Sequence, residues 1–304
     1  MSRPLGLIGV PTSAGAFAPG QEQAPRALRD AGLLKALRAS GLDVRDHGDR
    51  PVWRWRPDRQ RPRAQNAGAV VEIVEETARR VEASRARGET TLVLGGDCTV
   101  GIATVAGHMA AGGRVGLLYF DQHADLNVPD SVPEGALDWM GMAHMLGERG
   151  TVAELVGAGP RVPLLDPESV LLFGWGQEQA TAFEREVIAR RELSVIAVDE
   201  VAADPAGAAA RALDLMAARC DRLVVHFDVD VIDFTDVPLS ENTGRNQGLS
   251  FEQALAALDA LLLSPQFSGL TITELNPGHA EEGAGSIARL AERVAAAVGR
   301  GLLA

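Results

Sequence analysis

The stretch YFDQHADLN, residues 119–127, places three metal-capable side chains, Asp121, His123 and Asp125, at every second position. It follows the apolar run RVGLL, which is typical of a strand. In an extended backbone alternate side chains project to the same side, so this spacing predicts that the three groups share one volume. The two carboxylates would repel each other there, and a bound cation would remove that conflict.

A second alternating pair, Asp228 and Asp230, follows the apolar run RLVVHF. Four apolar runs in all end in polar motifs, namely GGDC, DQHAD, FDVD and TELNP. Because ligands of open α/β sheets bind outside the carboxyl ends of the strands, these motifs are expected to converge. Four carboxylates and one imidazole favour Mn²⁺ or a similar divalent ion, and the carboxylates are numerous enough to bridge two ions.

Each motif also has an ordinary structural explanation. A D-x-D pair on a surface loop is usually solvated or forms a turn. His144 and His226 are expected to be packed structural residues, and His47, His108 and His279 are expected to lie on the surface or in loops. The presence of both acidic runs at strand ends is what favours a metal site over these explanations.

The elements that would position the motifs alternate along the whole chain. Eight apolar runs are predicted strands, and they begin at Leu5, Leu42, Thr91, Arg114, Ser169, Leu193, Arg222 and Gly269. Most are continuous rather than alternating, which is the pattern of strands covered on both faces. Amphipathic segments lie between them, at residues 24–40, 67–86, 178–192, 206–220 and 250–263. The alternation predicts a parallel α/β sheet with helices on both faces, in a single domain over residues 1–304.

Composition excludes several classes of protein. The chain of 304 residues is 46% hydrophobic, which is ample for a buried core. Its net charge of -12 argues against a nucleic-acid partner, because phosphate binding needs clustered cations. No run approaches the roughly 20 apolar residues of a membrane span, and the start does not resemble a signal peptide. We therefore expect a cytoplasmic protein with no membrane partner and, with only Cys98 and Cys220, no disulfide framework.

The four motifs, read as GGDC, DQHADLN, HFDVDVID and ITELNP, resemble the arginase/agmatinase (ureohydrolase) family when taken with the opening LIGVPTSAGAFAPGQEQAPRALRDAGL. The similarity runs from near Leu5 to the C-terminal helix. It implies a three-layer α/β/α sandwich around a parallel sheet of about eight strands, assembled as a trimer or hexamer. It also implies a binuclear manganese centre that hydrolyses a guanidinium or amidine C–N bond.

The resemblance assigns roles residue by residue. It makes metal ligands of Asp121, His123, Asp125, Asp228 and Asp230, with Asp121 and Asp228 as bridging candidates. Glu274 resembles the acid that pairs with the substrate guanidinium. Asn127 matches a residue that holds an α-amino acid head group, which favours an amino-acid substrate over agmatine. In the mechanism we expect, Asp125 takes the proton of the nucleophile and passes it to the leaving amine.

Three positions depart from the family pattern. Cys98 replaces the first ligand, a histidine, and its thiolate would bind metal with a preference for softer ions, or else pack as a small buried side chain. The proton-shuttle histidine is missing, and either Asp138 or, in a shifted match, Met140 takes its place. The loop LSENTGRNQGL, residues 239–249, also differs from the family's sequence.

The function expected from these observations is metal-dependent hydrolysis of a guanidino C–N bond in a small amino-acid-like substrate, such as arginine or N-hydroxyarginine, with release of urea or hydroxyurea. The alternatives are an agmatinase-like or formimidoylglutamase-like amidine hydrolase, and an inactive metal-binding homologue with a regulatory role. A nucleotide-binding protein is a further class, because GGDCTVGIATVAG is glycine-rich and precedes a predicted helix. The chain lacks both the G-x-G-x-x-G and the Walker patterns that would support it.

Overall fold

A computed structural model describes residues 3–280 and 285–303. Within those residues, one sheet contains eight strands in the order β2-β1-β3-β8-β7-β4-β5-β6, and every neighbouring pair is parallel. The strands are β1 (Leu5–Gly9), β2 (Val44–Asp49), β3 (Thr90–Leu94), β4 (Val115–Phe120), β5 (Val170–Trp175), β6 (Ser194–Ala197), β7 (Arg222–Asp228) and β8 (Phe267–Thr273). The predicted parallel sheet and its eight strands are confirmed.

Eleven α-helices lie among the same described residues, and most of them connect consecutive strands. They are α1 (Ala24–Asp30), α2 (Leu33–Ala39), α3 (Ala67–Ala86), α4 (Val100–Ala110), α5 (Gly141–Met145), α6 (Ala153–Val156), α7 (Ala182–Arg191), α8 (Val198–Ala203), α9 (Pro205–Ala217), α10 (Phe251–Leu261) and α11 (Gly285–Leu303). Short 3-10 turns occupy Gln21–Gln23, Asp138–Met140, Pro167–Ser169 and Val229–Val231.

Two sequence expectations are wrong at this level. Residues 24–40 form two helices instead of one, because Gly32 adopts a left-handed conformation with φ of 90° and separates α1 from α2. His108 is not a surface residue. It is fully buried in α4, and its Nε2 lies 2.9 Å from Thr91 Oγ1 on β3.

Hydrophobic cores on the two faces of the sheet make the molecule a three-layer sandwich. Successive residues of a strand enter different cores, as Leu92 and Leu94 pack on one face while Val93 packs on the other. The first core contains α1, α2, α8, α9, α10 and α11, and the second contains α3 to α7. Burial on both faces explains why the strands read as continuous apolar runs.

The strand order brings the polar motifs together. The strands β3, β8, β7 and β4 are consecutive neighbours in the sheet, and all four motifs follow their carboxyl ends. Register aligns Asp228 with Thr273, and Phe120 with Phe227, so the four ends lie at one edge. Among the described residues, no helix is long and apolar enough to cross a membrane.

Candidate active site

The two acidic runs share one local arrangement. The first aspartate of each run accepts a hydrogen bond from the backbone N–H two residues later, at 2.6 Å from His123 to Asp121 Oδ1 and at 2.7 Å from Asp230 to Asp228 Oδ1. The backbone is not extended there, since Asp230 lies in a 3-10 turn and Asp125 has a φ of +48°. Turns of this kind, rather than the expected alternation along a strand, therefore bring the side chains together.

One group of metal-capable atoms surrounds Cys98. Single ligand atoms of Cys98, Asp121, His226 and Asp228 all lie within 4.8 Å of one another, and all four residues are buried. The Cys98 Sγ is 2.7 Å from Asp228 Oδ2 and 3.4 Å from His226 Nε2. His226, expected to be only structural, is thus a neighbour of the metal-capable atoms.

A second group contains Asp121, His123 and Asp230. His123 Nδ1 lies 2.9 Å from Asp230 Oδ2 and 3.5 Å from Asp121 Oδ1. Asp121 belongs to both groups, so two cations held in them would share its carboxylate.

The carboxylates of the site carry more negative charge than their surroundings balance. Burial, and then the neighbouring Asp230, raise the pKa of Asp121 to about 7. Burial and the same neighbour raise the pKa of Asp228 well above its ordinary value. Burial would lower the pKa of His123, but Asp230 and Asp121 raise it well above its usual value, so this imidazole is the cation that partly offsets the acids.

The residues present fit a divalent cation. Asp121 Oδ2 and Asp230 Oδ1 are buried and have no hydrogen-bond partner within the described part of the chain. Buried carboxylate oxygens without donors are costly, and metal ligation is a recognised way to satisfy them. Carboxylates with a minority of imidazole suit hard to borderline ions, and a thiol at Cys98 is the one softer donor.

Asp125 lies outside both groups of metal-capable atoms, although it lines a cavity that residues of both groups also line. The Tyr119 hydroxyl donates a hydrogen bond to Asp125 Oδ2, and the Tyr119 ring stacks on His226 at a centroid distance of 4.3 Å. Burial and then Asp121 raise the pKa of Asp125 well above its usual value. Asp125 is thus placed beside the metal-capable atoms with one oxygen already engaged.

Glu274 follows β8 and is held from two distant segments. Its Oε1 accepts the Cys98 backbone N–H at 2.9 Å, and its Oε2 accepts Gln21 Nε2 at 3.0 Å. Its backbone adopts a left-handed conformation with φ of +63°, which is uncommon for a residue other than glycine. It belongs to neither metal-capable group.

A cavity of about 350 Å³ joins these residues to the surface. The residues that line it are Phe17, Cys98, His123, Asp125, Asn127, Val132, Asp138, Trp139, Gln179, Thr181, Glu184, Asp228, Asp230, Glu241, Asn242, Thr243 and Glu274. None of these described residues is Arg or Lys. The partly exposed rings of Phe17 and Trp139 contact each other with centroids 6.2 Å apart and form an apolar side of the lining.

Asn127 and Asp138 both lie in this lining. The Asn127 Oδ1 accepts hydrogen bonds from Ser131 Oγ and Thr181 Oγ1, both at 3.0 Å, which fixes the amide and leaves its N–H groups as donors. Asp138 is buried, and burial and then Asp97 raise its pKa well above the usual value. Met140 is also buried but is not among the lining residues, so of the two substitutes for the shuttle histidine only Asp138 reaches the cavity.

An all-parallel α/β/α sandwich with buried carboxylates and imidazoles at the carboxyl edge of its sheet is typical of the class of metal-dependent α/β enzymes. Comparison with known proteins narrows this class. Residues 3–299 match the model of the Arginase family, and the chain belongs to that family. Its curated relatives include arginase-1 of Homo sapiens, 28% identical over 91% of this chain and 86% of that protein, and the arginase of Bacillus caldovelox, 28% identical over 90% and 91%.

Solved structures agree with this membership. The arginase of Bacillus caldovelox superposes with a TM-score of 0.85 at 26% identity and covers 98% of this chain and 97% of that one. Formimidoylglutamase from Bacillus subtilis shares the fold, with a TM-score of 0.77 at 19% identity over 99% of this chain and 88% of that one. The family consists of binuclear-metal ureohydrolases, so the predicted family, fold and enzyme class are confirmed.

Proposed function

We propose that this ureohydrolase cleaves the guanidino C–N bond of a small amino-acid-like substrate, arginine or N-hydroxyarginine, and releases urea or hydroxyurea with an amine. The observation that carries the proposal is the position of Glu274. Its carboxylate lines the cavity that also contains atoms of both metal-capable groups, yet it belongs to neither group. A carboxylate in such a place is suited to a planar cation bound next to the metals.

The proposed metal ligands are those assigned by resemblance, Cys98, Asp121, His123, Asp125, Asp228 and Asp230, with Mn²⁺ as the ion. If bound there, two divalent cations would supply hydroxide at neutral pH, because such ions lower the pKa of water from about 15.7 towards about 7. The unpartnered oxygens of Asp121 and Asp230 support this assignment. The weakest support is for Asp125, which lies outside both groups.

The chain's own residues orient the substrate. Glu274 pairs with the guanidinium and fixes its plane, so that the central carbon faces the metal-capable groups. Asn127 donates its amide N–H to the substrate carboxylate, because its Oδ1 is already occupied by Ser131 and Thr181. The absence of Arg and Lys from the described lining makes a second substrate carboxylate unfavourable, which argues against a formimidoylglutamase-like substrate.

Proton transfer is assigned to two acids. Asp125 takes a proton from the nucleophile on its free oxygen and delivers it to the leaving nitrogen. Asp138 lines the cavity and takes the place of the missing shuttle histidine. A carboxyl exchanges protons near neutral pH less readily than an imidazole does, unless its pKa is raised. Burial and Asp97 raise the pKa of Asp138, as a carboxyl in this role requires. An N-hydroxylated guanidine is more acidic than arginine and would depend less on that shuttle, so the proposal keeps both compounds.

Family membership also supports a homo-oligomer, a trimer or hexamer, for this chain. No nucleic acid or membrane partner enters the proposal, and a cytoplasmic location remains the expectation from sequence.

The test is turnover by the Mn²⁺-loaded protein of arginine, N-hydroxyarginine, agmatine and formimidoylglutamate, with detection of urea, hydroxyurea and amine products. Glu274→Gln keeps size and hydrogen bonding but removes the charge, and it should lower kcat/KM for the best substrate by about two powers of ten at unchanged metal content. Glu292→Gln, at an exposed position of α11, is the matched control. Absence of turnover with every compound would favour the inactive, regulatory alternative, and near-normal turnover by Glu274→Gln would remove the link to guanidine chemistry.

A further inference from the structure

Gln21 is a fully buried polar residue that lies outside the cavity lining. It begins the 3-10 turn Gln21–Gln23 that leads into α1, near the start of the chain, whereas Glu274 lies near its end. Its Nε2 donates to Glu274 Oε2 at 3.0 Å, across 253 residues of chain. No local sequence pattern indicates this contact.

The other end of the same amide is unsatisfied. Gln21 Oε1 is buried and has no hydrogen-bond partner among the described residues. An apolar side chain of the same length would fill the space without leaving a carbonyl oxygen unpaired, so packing does not explain an amide here. Within the described part of the chain, the Gln21 side chain makes a single hydrogen bond, the bond to Glu274.

Among the described residues, one further hydrogen bond orients the Glu274 carboxylate. Its Oε1 is held by the Cys98 backbone N–H at 2.9 Å, and with that bond alone the carboxylate could still rotate about it. The Gln21 bond to the second oxygen fixes the plane of the carboxylate. Each carboxylate oxygen has two acceptor directions, so both oxygens keep one for a substrate.

We propose that Gln21 is a positioning residue, which holds the Glu274 carboxylate in the plane that receives the guanidinium. This inference rests on the proposed function of Glu274, and it adds a residue that touches neither the substrate nor the metal-capable groups. A guanidinium forms two parallel N–H···O bonds only with a coplanar carboxylate, and a tilted carboxylate would still attract the cation but would turn its carbon away from the nucleophile.

The test replaces Gln21 by Met, which has similar length and no N–H donor. Loss of orientation should lower kcat about ten-fold, with a smaller change in KM and an unchanged metal content. Gln23→Met, two residues away at an exposed position of the same turn, should behave like the wild type. Wild-type kinetics for Gln21→Met would overturn the proposal.

A double-mutant cycle separates positioning from general damage. In a Glu274→Ala background there is no carboxylate to hold, so Gln21→Met should cause no further loss of turnover. Equal losses in both backgrounds would show that Gln21 acts elsewhere and would contradict the proposal.

Crystal structures of the wild type and of Gln21→Met test the same point without any substrate. The Glu274 carboxylate should rotate in the variant, and an unchanged carboxylate would count against the proposal. If the wild type hydrolyses none of the guanidino compounds but the carboxylate rotates, the proposed function fails while the positioning contact stands.

Discussion

Buried acids lie at both edges of the sheet, and their surroundings differ in opposite directions. Glu89, just before β3, is fully buried, with its oxygens 3.0 Å from Arg87 Nε and 2.7 Å from His47 Nε2. Burial opposes its ionisation, but hydrogen bonds from Ser84, Arg87 and His47 lower its pKa to about 2. At the opposite, carboxyl edge of the sheet, the site carboxylates have no Arg or Lys in the described cavity lining, and the pKa of Asp228 is raised.

The difference separates a structural acid from a functional one. Where the chain supplies its own cations, a buried carboxylate is part of the scaffold and needs nothing further. Where His123 is the one cation that the described residues supply, buried carboxylates favour a cation from outside, whether metal or substrate. Acids of the first kind should contribute to stability alone, and acids of the second kind to binding and turnover alone.

The largest expected effect comes from removing charge at the site. The double variant Asp121→Asn, Asp228→Asn should lose its bound metal and all detectable turnover, because Asp121 belongs to both metal-capable groups. The free energy of unfolding without metal should not fall below that of the metal-free wild type, since two mutually repelling acids are gone. Elemental analysis, activity assays and urea unfolding measure these quantities.

The double variant Asp121→Asn, Asp228→Asn is compared with Asp214→Asn, at an exposed position of α9, which should resemble the wild type. Full metal occupancy in the double variant would contradict the assignment of Asp121 and Asp228 as metal ligands. A large loss of stability without metal would contradict the proposed difference between these acids and Glu89.

A second, smaller effect should appear at Glu89, at the amino end of β3. Glu89→Gln should lower the free energy of unfolding by about 2–3 kcal/mol, because the amide removes the negative charge and replaces one acceptor oxygen of this buried site by a donor. Metal content and kcat/KM should stay at wild-type values. Reduced metal binding in this variant would mean that the two regions are coupled.

The pKa of Glu89 also sets how the difference in stability between the wild type and Glu89→Gln depends on pH. Glu89 has a folded-state pKa of about 2 against an ordinary value of 4.5, so the folded state binds fewer protons than the unfolded state between those values. The stabilisation is therefore complete above about pH 4.5 and is lost as the pH falls towards about 2. Wild type and Glu89→Gln should converge over that window in urea unfolding, and a constant gap would refute the assignment.

The smallest expected effect is a change in metal affinity at the site. Cys98→His should raise the Mn²⁺ affinity about ten-fold, because imidazole suits this ion better than a thiol whose pKa is raised by burial and by Asp228. Calorimetric titration of both forms measures it. The matched change Cys220→Ala removes the other buried cysteine and should leave binding unaltered. Equal affinities before and after Cys98→His would show that Cys98 packs rather than binds.

The sequence predicted the sheet and the place of the acids, because continuous apolar strands and motifs at their ends are local patterns. It did not predict how the side chains converge, since the turns at Asp121 and Asp228 follow from side-chain hydrogen bonds to the backbone. A signal for His226 was present. It stands two positions before Asp228 and so shares its face of β7, but its apolar neighbours suggested a core residue.

Other features had no local signal. The contact between Gln21 and Glu274 joins the first and last parts of the chain, and only the three-dimensional arrangement of the sheet brings them together. The hydrogen bond between Tyr119 and Asp125 spans only six residues, and it occurs where the backbone at Asp125 is left-handed, which no sequence pattern indicated. The break at Gly32 was readable in principle, as glycine between two helical runs is a common helix end.

The strand order has a consequence for how the protein forms during synthesis. The last strand in chain order, β8, lies between β3 and β7, and so joins the group β2-β1-β3 to the group β7-β4-β5-β6. During translation β8 cannot link the two groups until residues 267–273 have left the ribosome. The cleft is therefore completed last, and the nascent chain exposes open edges at β3 and β7 that a chaperone or another chain could pair with.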